Sequence, residues 1–310
     1  MKLMEILAGI AVTCSTADGN MEITGISYDS RQVKQGDLFV AITGYAADGH
    51  RFIPMAVEKG AAAVLCERAP EIDIPYVQVE NARLAMALAS ANFFGHPADA
   101  MTFVGITGTN GKTSSTYLLK TVLEKTLGAK VGLIGTIQNM IGDQVLETER
   151  TTPESFELQK LFYEMKQAGC THVIMEVSSH SLVLDRVAGI RFQVGVFTNL
   201  TQDHLDFHKT MEEYRKAKAI LFRRCAIGVF NGDDEATPKI LETATCKPMT
   251  FGEKPENDLQ AVAPILHSDG VEFTARYGER RAHVHLGIPG AFTVYNALGV
   301  LGAALALGVS

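Results

Sequence analysis

Apolar positions fall in short runs of four to six residues separated by polar, helix-forming stretches. From residue 98 onward the strand candidates are Thr102 to Thr107, Lys130 to Ile134, His172 to Val177, Gln193 to Thr198 and Ala226 to Phe230. Helical stretches lie between them, among them Ser155 to Ala168 and Met211 to Phe222. Near-continuous apolar strands alternating with helices predict a buried, mainly parallel sheet with helices on both faces. Residues 1–97 repeat the alternation on a smaller scale. Met21 to Tyr28, Leu38 to Ile42, Ala62 to Cys66 and Ile74 to Val79 read as strands, and Arg51 to Lys59 and Ala82 to Phe94 as helices. Gly95-His96-Pro97 breaks the pattern and reads as a linker. The expectation is an α/β protein with a small N-terminal domain, 1–97, and a larger central domain, 98–310.

Two ends of the pattern need separate treatment. Ile6 to Val12 is apolar with Cys14 close behind. That suits a secretory signal, but Glu5 and the shortness of the run favour an amphipathic first helix. Gly290 to Val309 opens on a glycine turn and becomes an Ala/Leu-rich helix, after which the sequence stops at Ser310 without an evident cap. This predicts a truncated chain or a further domain beyond it.

Composition narrows the function classes. A net charge of −7 opposes broad nucleic-acid binding, which favours basic surfaces. No run reaches the ~18 apolar residues that a membrane span needs. Five scattered cysteines, odd in number and without a CxxC pair, fit reduced cytoplasmic thiols better than a disulfide framework.

The chemistry starts at residues 105–114, Gly-Ile-Thr-Gly-Thr-Asn-Gly-Lys-Thr-Ser. A strand-like stretch precedes them and a helix-like stretch, Thr113 to Leu127, follows. Strand, glycine-rich turn, Lys-Thr and helix make a phosphate cradle: backbone N–H groups approach the phosphate oxygens and the helix N-terminus adds partial positive charge. Lys112 is placed for the β/γ-phosphates of ATP and the Thr113 hydroxyl for Mg²⁺. The spacing departs from the usual motif, because its first Gly position holds Ile106 and the glycine stands one earlier, at Gly105. A strand-to-helix turn that binds nothing is the competing explanation.

Other polar residues sit at predicted strand ends, where ligands of such sheets bind. Glu176 lies inside the apolar run Val173 to Val177; it is either a Mg²⁺ ligand or half of an ion pair within the sheet. Asp203, His204 and Asp206 supply metal or phosphate contacts, or an Asx turn and helix cap. Lys218 shares a helical face with Tyr214, Leu221 and Phe222. A lysine buried there readily loses its proton and can take up CO₂ as a carbamate, whereas a snorkelling lysine buries only its stem. Thr152 and Pro153 suit the N-cap and first turn of the following helix. Arg186 and Ser178 are placed to clamp an anion. Tyr28 to Arg31, and Thr43-Gly44 to Asp48-Gly49, are polar loops after strands, either of which suits a turn alone.

In this order these segments resemble the Mur ligases, ATP-dependent amino-acid-adding enzymes of peptidoglycan synthesis. The segments are the Gly105 to Thr113 turn, Glu176-Val177-Ser178-Ser179-His180, Thr198-Asn199-Leu200 with Asp203-His204, Lys218, and Gly290-Ala291-Phe292 with Asn296. Asp29-Ser30-Arg31 before Gly36 to Ala41, Thr151-Thr152-Pro153 and Ser178 to Arg186 resemble the branch that adds the third residue. That likeness implies an activity: addition of a diamino acid, meso-diaminopimelate or L-lysine, to UDP-N-acetylmuramoyl-L-alanyl-D-glutamate through an acyl phosphate. It implies that Gly108, Thr109, Asn110, Gly111, Lys112, Thr113 and Ser114 bind ATP, with Asn296 near the adenine. Thr113 and Glu176 would hold one Mg²⁺, and His204 with carbamylated Lys218 a second, so that CO₂ or bicarbonate is also required. Lys112 and carbamylated Lys218 would be the catalytic residues. Ser30 would contact the UDP, and Thr151, Thr152, Ser178 and Arg186 the sugar-peptide. Two positions depart from the pattern: Leu184 stands where a Gln is frequent and Thr293 where an Asn is. The family's C-terminal amino-acid-binding domain has no counterpart here, so the 310 residues alone are expected not to ligate. A monomer in the cytoplasm is expected, with partners neither nucleic acid nor membrane. Sister ligases (D-Ala-D-Ala-adding or folylpolyglutamate-synthesising) and a P-loop nucleotide-binding module are the alternatives.

Overall fold

The computed structural model describes residues 1–44 and 47–310; of the loop from Thr43 to Gly49, Tyr45 and Ala46 lie outside the described residues. The chain divides into two compact units. One is Met1–Pro97 with Glu154–Tyr163 and Leu184–Gly189; the other is Ala98–Pro153, Glu164–Val183 and Ile190–Ser310. A linear reading leaves the two short segments in the second unit, because nothing in their local pattern marks the packing partner.

In the first unit, β2 (Gly25–Ser27), β3 (Asp37–Val40), β4 (Ala63–Cys66) and β5 (Tyr76–Gln78) pair in parallel, and β1 (Cys14–Ser15) adds to β5 antiparallel. Both faces are covered. Leu38, Val40 and Leu65 join one apolar cluster with Leu3, Ile6 and Met86, whereas Phe39, Val64 and Cys66 join another with Ile53 and Ala56. This is why β3 and β4 read as unbroken apolar runs. The first helix, α1 (Leu3–Ile6), is a single turn that buries Leu3 and Ile6, so the amphipathic helix expected over Ile6 to Val12 does not form. Helix α2 (Ile53–Glu58) follows a 3-10 turn, and α3 (Ala82–Phe93) starts at Asn81, whose side chain accepts from the Leu84 N–H at 3.0 Å.

The second unit is built on an eleven-stranded sheet. Its strands are β6 (Thr102–Thr107), β7 (Val131–Ile134), β8 (Asn139–Ile141), β9 (Gln144–Leu146), β10 (His172–Glu176), β11 (Phe192–Phe197), β12 (Cys225–Asn231), β13 (Lys247–Gly252), β14 (Leu259–Leu266), β15 (Val271–Tyr277) and β16 (Arg280–Leu286). Their order is β16-β15-β14-β13-β12-β11-β6-β10-β7-β8-β9. From β7 to β14 every pairing is parallel; the β8–β9 hairpin and the β14–β15–β16 meander make both edges antiparallel. Its helices are α4 (Lys112–Leu127), α6 (Ser179–Val183), α7 (Leu205–His208), α8 (Met211–Ala219), α9 (Thr237–Leu241) and α10 (Ala291–Ala306), together with the last turn of α5 (Ser155–Gln167), the rest of which belongs to the first unit. Leu119 and Leu123 of α4 and Val294 and Leu298 of α10 pack with Val104, Ile106, Val194 and Val196 into one core. On the other sheet face Phe103 meets Phe192 edge-on, with centroids 6.3 Å apart.

Two findings correct the sequence reading. Gly105 is not part of the glycine-rich turn: it lies within β6, level with Met175 and Gly195, and a Cβ there would sit 2.9 Å from the Phe192 ring and 3.1 Å from Leu221. The glycine shifted in the motif is therefore a packing glycine. And α10 does have a cap: Gly308 takes φ +87°, its N–H reaches the Leu305 carbonyl at 3.0 Å, and the Val309 N–H reaches that of Ala304 at 3.0 Å, which is the Schellman arrangement. Among the described residues no helix is long and apolar enough to cross a membrane.

Candidate functional site

The carboxyl ends of β6, β10, β11 and β12 meet at the turn 108–111. Gly108 (φ +151°) and Gly111 (φ +86°) adopt backbone angles that favour glycine. A Cβ at Gly108 would collide with the Thr198 hydroxyl, and one at Gly111 with the Asn296 side-chain oxygen. The turn is tied down by the loop after β11. Asn199 accepts from the Asn110 N–H at 2.9 Å and donates to its carbonyl at 3.1 Å, the Thr198 hydroxyl donates to that carbonyl at 2.6 Å, and the Asn199 carbonyl accepts from the Thr109 N–H at 2.9 Å. Thr109 also accepts from the Thr201 N–H at 3.0 Å. Asn231 and Asp234 brace the same loop from β12, donating to the Thr198 carbonyl at 2.8 Å and accepting from the Leu200 N–H at 2.9 Å.

Two lysines converge on a single backbone carbonyl. Lys112 Nζ donates to Gly108 O at 3.0 Å and Thr109 O at 2.9 Å; Lys218 Nζ donates to Gly108 O at 2.8 Å. Lys218 is only 1% exposed and stands over the Tyr214 ring, 4.3 Å from its centroid. Burial lowers the pKa of both ammoniums. Lys218 is driven well below its ordinary value, by burial first and then by the charge of Lys112, with Asp203 opposing. A snorkelling lysine keeps its ammonium in water; this one does not.

Glu176, 1% exposed at the end of β10, is the carboxylate of the site. Its Oε1 accepts from the Thr113 hydroxyl and the Thr136 N–H, both at 2.9 Å, and its Oε2 from the Thr136 hydroxyl at 3.0 Å. The alternative of an ion pair within the sheet is not what these contacts make. Thr136 itself meets the Thr151 hydroxyl at 3.0 Å, so hydrogen bonds run without a break from Thr113 to Thr151. Sequence reasoning missed Thr136; its place after the apolar strand β7 was the available signal. Thr152 is no helix cap, since α5 begins at Ser155. Its hydroxyl donates to Glu176 O at 2.8 Å and accepts from the Ser178 N–H at 3.1 Å, fixing the chain on either side of Val177.

The remaining expected residues are spread around this centre or belong to the first unit. Ser114 is exposed in the first turn of α4 and Asn296 is buried against Gly111. His204 has φ +51° and a half-exposed side chain, its ring 5.0 Å from that of His180. Among the described residues no three His, Cys, Asp or Glu side chains converge as a metal cage. Mg²⁺ does not need one, because it usually takes one or two carboxylates and completes its shell with water and phosphate oxygens. In the first unit Ser30 is buried, its hydroxyl 3.3 Å from Met55 Sδ. Arg186 pairs with Glu154 at 2.7 Å, and Arg83 meets the other oxygen of Glu154 at 3.3 Å.

His208 carries a pH consequence. It is 6% exposed, its Nε2 lies 2.8 Å from the Ser179 hydroxyl, and burial, with the nearby charges of His180 and Lys218, lowers its pKa to about 4. The unfolded chain binds this proton near pH 6.5 and the folded one does not. Stability is therefore lost as pH falls from about 6.5 to about 4, by on the order of 2 kcal/mol. His208→Gln is expected to flatten that part of the acid limb in urea unfolding at stepped pH; an unchanged slope refutes the assignment.

The comparisons with known proteins agree with this geometry. Residues 106–304 match the Mur ligase middle domain, and 22–97 match the Mur ligase family, catalytic domain. The chain is 49% identical over 312 residues to UDP-N-acetylmuramoyl-L-alanyl-D-glutamate--2,6-diaminopimelate ligase 1 of Clostridium acetobutylicum, covering 100% of this chain and 64% of that protein. It is 41% identical to the ligase of the same name, without the numeral, from Listeria monocytogenes, covering 99% and 64%. A solved structure of a UDP-N-acetylmuramoyl-L-alanyl-D-glutamate--2,6-diaminopimelate ligase superposes with a TM-score of 0.89 at 26% identity, covering 100% of this chain and 64% of that one. The Thermotoga maritima MurF ligase in complex with ADP shares the fold at a TM-score of 0.63 and 21% identity, covering 94% and 64%. The chain thus spans about 64% of the length of these relatives. A glycine turn built on β6, two lysines on its carbonyl and a family match over most of the sequence lead to one assignment: this chain belongs to the Mur ligase family.

Proposed function

We propose that the chain forms the UDP-sugar-binding and ATP-binding parts of a ligase that adds a diamino acid to UDP-N-acetylmuramoyl-L-alanyl-D-glutamate. The observation that carries this reading is the buried Lys218 and the half-buried Lys112 sharing the Gly108 carbonyl. Two amines held that close disfavour each other's charged form, which leaves Lys218 open to take up CO₂ as a carbamate and Lys112 to meet a nucleotide's phosphates. The names of the relatives supply the substrate class.

In this reading residues 108–114 cradle the triphosphate and Asn296 borders the adenine. Thr113 and Glu176 hold one Mg²⁺; carbamylated Lys218 and His204 contribute to a second. Mg²⁺ would offset the charge that builds up when a carboxylate attacks a phosphate. Lys112 neutralises the transferring phosphoryl group, and the braced turn holds the start of α4 in place before substrate arrives. Ser30 contacts the UDP, and Thr151, Thr152, Ser178 and Arg186 contact the sugar-peptide. The diamino acid's amine then displaces phosphate from the acyl phosphate.

The test has two arms. Calorimetry on residues 1–310 should detect ATP binding that needs Mg²⁺ and is lost in Lys112→Ala. A protein of the relatives' full length should ligate with the UDP-linked dipeptide as acceptor and not with the UDP-linked tripeptide. The reverse acceptor preference would move the chain to the D-Ala-D-Ala-adding branch, and ATP hydrolysis indifferent to both would overturn the ligase reading.

A further inference from the structure

The opposite, amino-terminal rim of the large sheet carries a second chemical feature. β12 starts at Cys225, and Cys246 immediately precedes β13. These strands are parallel, with Ile227 opposite Lys247. The two cysteines therefore lie at neighbouring strand starts, one residue out of step. With strands ~4.8 Å apart, that offset falls inside the Cα separation of ~4.4–6.8 Å that a disulfide spans. Both sulfurs are on the same side of the sheet. Gly195 and Gly228 are direct partners across β11 and β12, and a Cβ on Gly195 would lie 3.0 Å from Cys225 Sγ, one on Gly228 2.6 Å from Cys246 Sγ. Two facing glycines thus make the space into which both thiols turn. The site is open to solvent: Cys246 is half-buried, and Cys225 lines a cavity of about 460 Å³ together with Arg191, Gln193, Arg223 and Arg224.

We propose that Cys225 and Cys246 are a reversible dithiol–disulfide site whose oxidant is a small, carboxylate-bearing peptide disulfide of the glutathione type, drawn in by the arginines of the cavity. The thiolate of Cys246 attacks one sulfur of the small disulfide and expels the first thiolate. Cys225 then gives up its proton and attacks Cys246 Sγ, expelling the second. Two protein thiols are oxidised and one small disulfide is reduced to two thiols. The order follows from the surroundings. Cys246 is the more accessible of the two, half-buried where Cys225 is buried, and the neighbouring sulfur and burial raise the pKa of Cys225. The other cysteines lack such a partner site: Cys66 and Cys170 are buried in other parts of the fold, and Cys14 is exposed beside the Tyr76 hydroxyl.

Reduced protein would be treated with oxidised glutathione or with neutral hydroxyethyl disulfide, alkylated, digested and mapped by mass spectrometry. The expected product is a Cys225–Cys246 linked peptide two hydrogens lighter than the reduced pair and restored by dithiothreitol. Cys225→Ser should trap glutathione on Cys246, and Cys246→Ser should leave Cys225 unmodified. Replacing the exposed Arg191 and Arg223 by alanine should slow the glutathione reaction about tenfold at low salt and leave the neutral reagent's rate unchanged. Absence of the linked peptide, or glutathione on Cys225 in place of Cys246, overturns the site. Equal sensitivity of both reagents to the arginine changes overturns the choice of oxidant.

Discussion

Glu176→Gln is expected to leave the protein folded and to abolish its response to Mg²⁺. The substitution keeps the shape of a side chain that is 1% exposed and keeps an oxygen for the Thr113 hydroxyl and the Thr136 N–H. What it removes is the negative charge beside Lys112 and the second acceptor oxygen, which now takes the Thr136 hydroxyl. Thr136 can turn that hydroxyl toward Thr151, already 3.0 Å away, so the fold loses little. A hard cation loses far more, because an amide oxygen is a weaker ligand than a carboxylate. Mg²⁺-dependent ATP affinity should fall by about 10²-fold, and ligation by a protein of full family length by about 10³-fold. Binding of ATP measured in EDTA should be unchanged or slightly tighter, since a negative charge near the phosphates is gone. The decisive measurement is therefore the ratio of affinities with and without Mg²⁺. If that ratio matches the unsubstituted protein, Glu176 is a structural acceptor for two threonines and the metal lies elsewhere. Glu176→Ala is a poorer test, because it strands a buried N–H at a cost of about 1–3 kcal/mol.

The parallel core of the second unit was legible because its strands are buried on both faces and its helices carry a matching apolar stripe. Val104, Ile106, Val194 and Val196 announce themselves. The meander β14–β16 was not, since it is half solvated and β16 carries Arg280, Arg281, His283 and His285, with no apolar run to mark it. The candidate site was legible to the extent that its chemistry resides in unusual side chains. A carboxylate inside an apolar strand and a lysine on an apolar helix face are costly placements, and cost is visible in sequence. Thr136, Asn231 and Asp234 are ordinary polar residues at strand ends. Only their hydrogen bonds to Glu176 and to the loop bracing the glycine turn distinguish them. Gly105 misled for a related reason: a glycine needed for packing looks the same in sequence as one needed for a turn.

Lys218→Met is expected to stabilise the fold while disabling ligation. Lys218 is buried with its ammonium on one carbonyl and a second ammonium on the same atom. Its pKa in the folded state lies well below that of the unfolded chain, so folding releases a proton across the interval between the two values. In that interval stability rises with pH, up to the unfolded value of ~10.4; below the folded value the whole penalty remains. Methionine fills a similar volume, removes the penalty and flattens that dependence, so the melting temperature should rise, and rise more at lower pH. Activity should move the other way. Only the neutral amine takes up CO₂, so carbamate formation on the native residue should increase as pH climbs through the lowered pKa, at a pH where an ordinary lysine is still fully protonated. A protein of full family length should lose activity on stripping bicarbonate and regain it on return, whereas Lys218→Met should be inactive in both. Lys218→Ala, which opens space, should recover part of its activity with formate or acetate standing in for the carbamate. A melting temperature that falls together with unaltered ligation would make Lys218 a strut for Gly108, and bicarbonate would then have no effect on either protein.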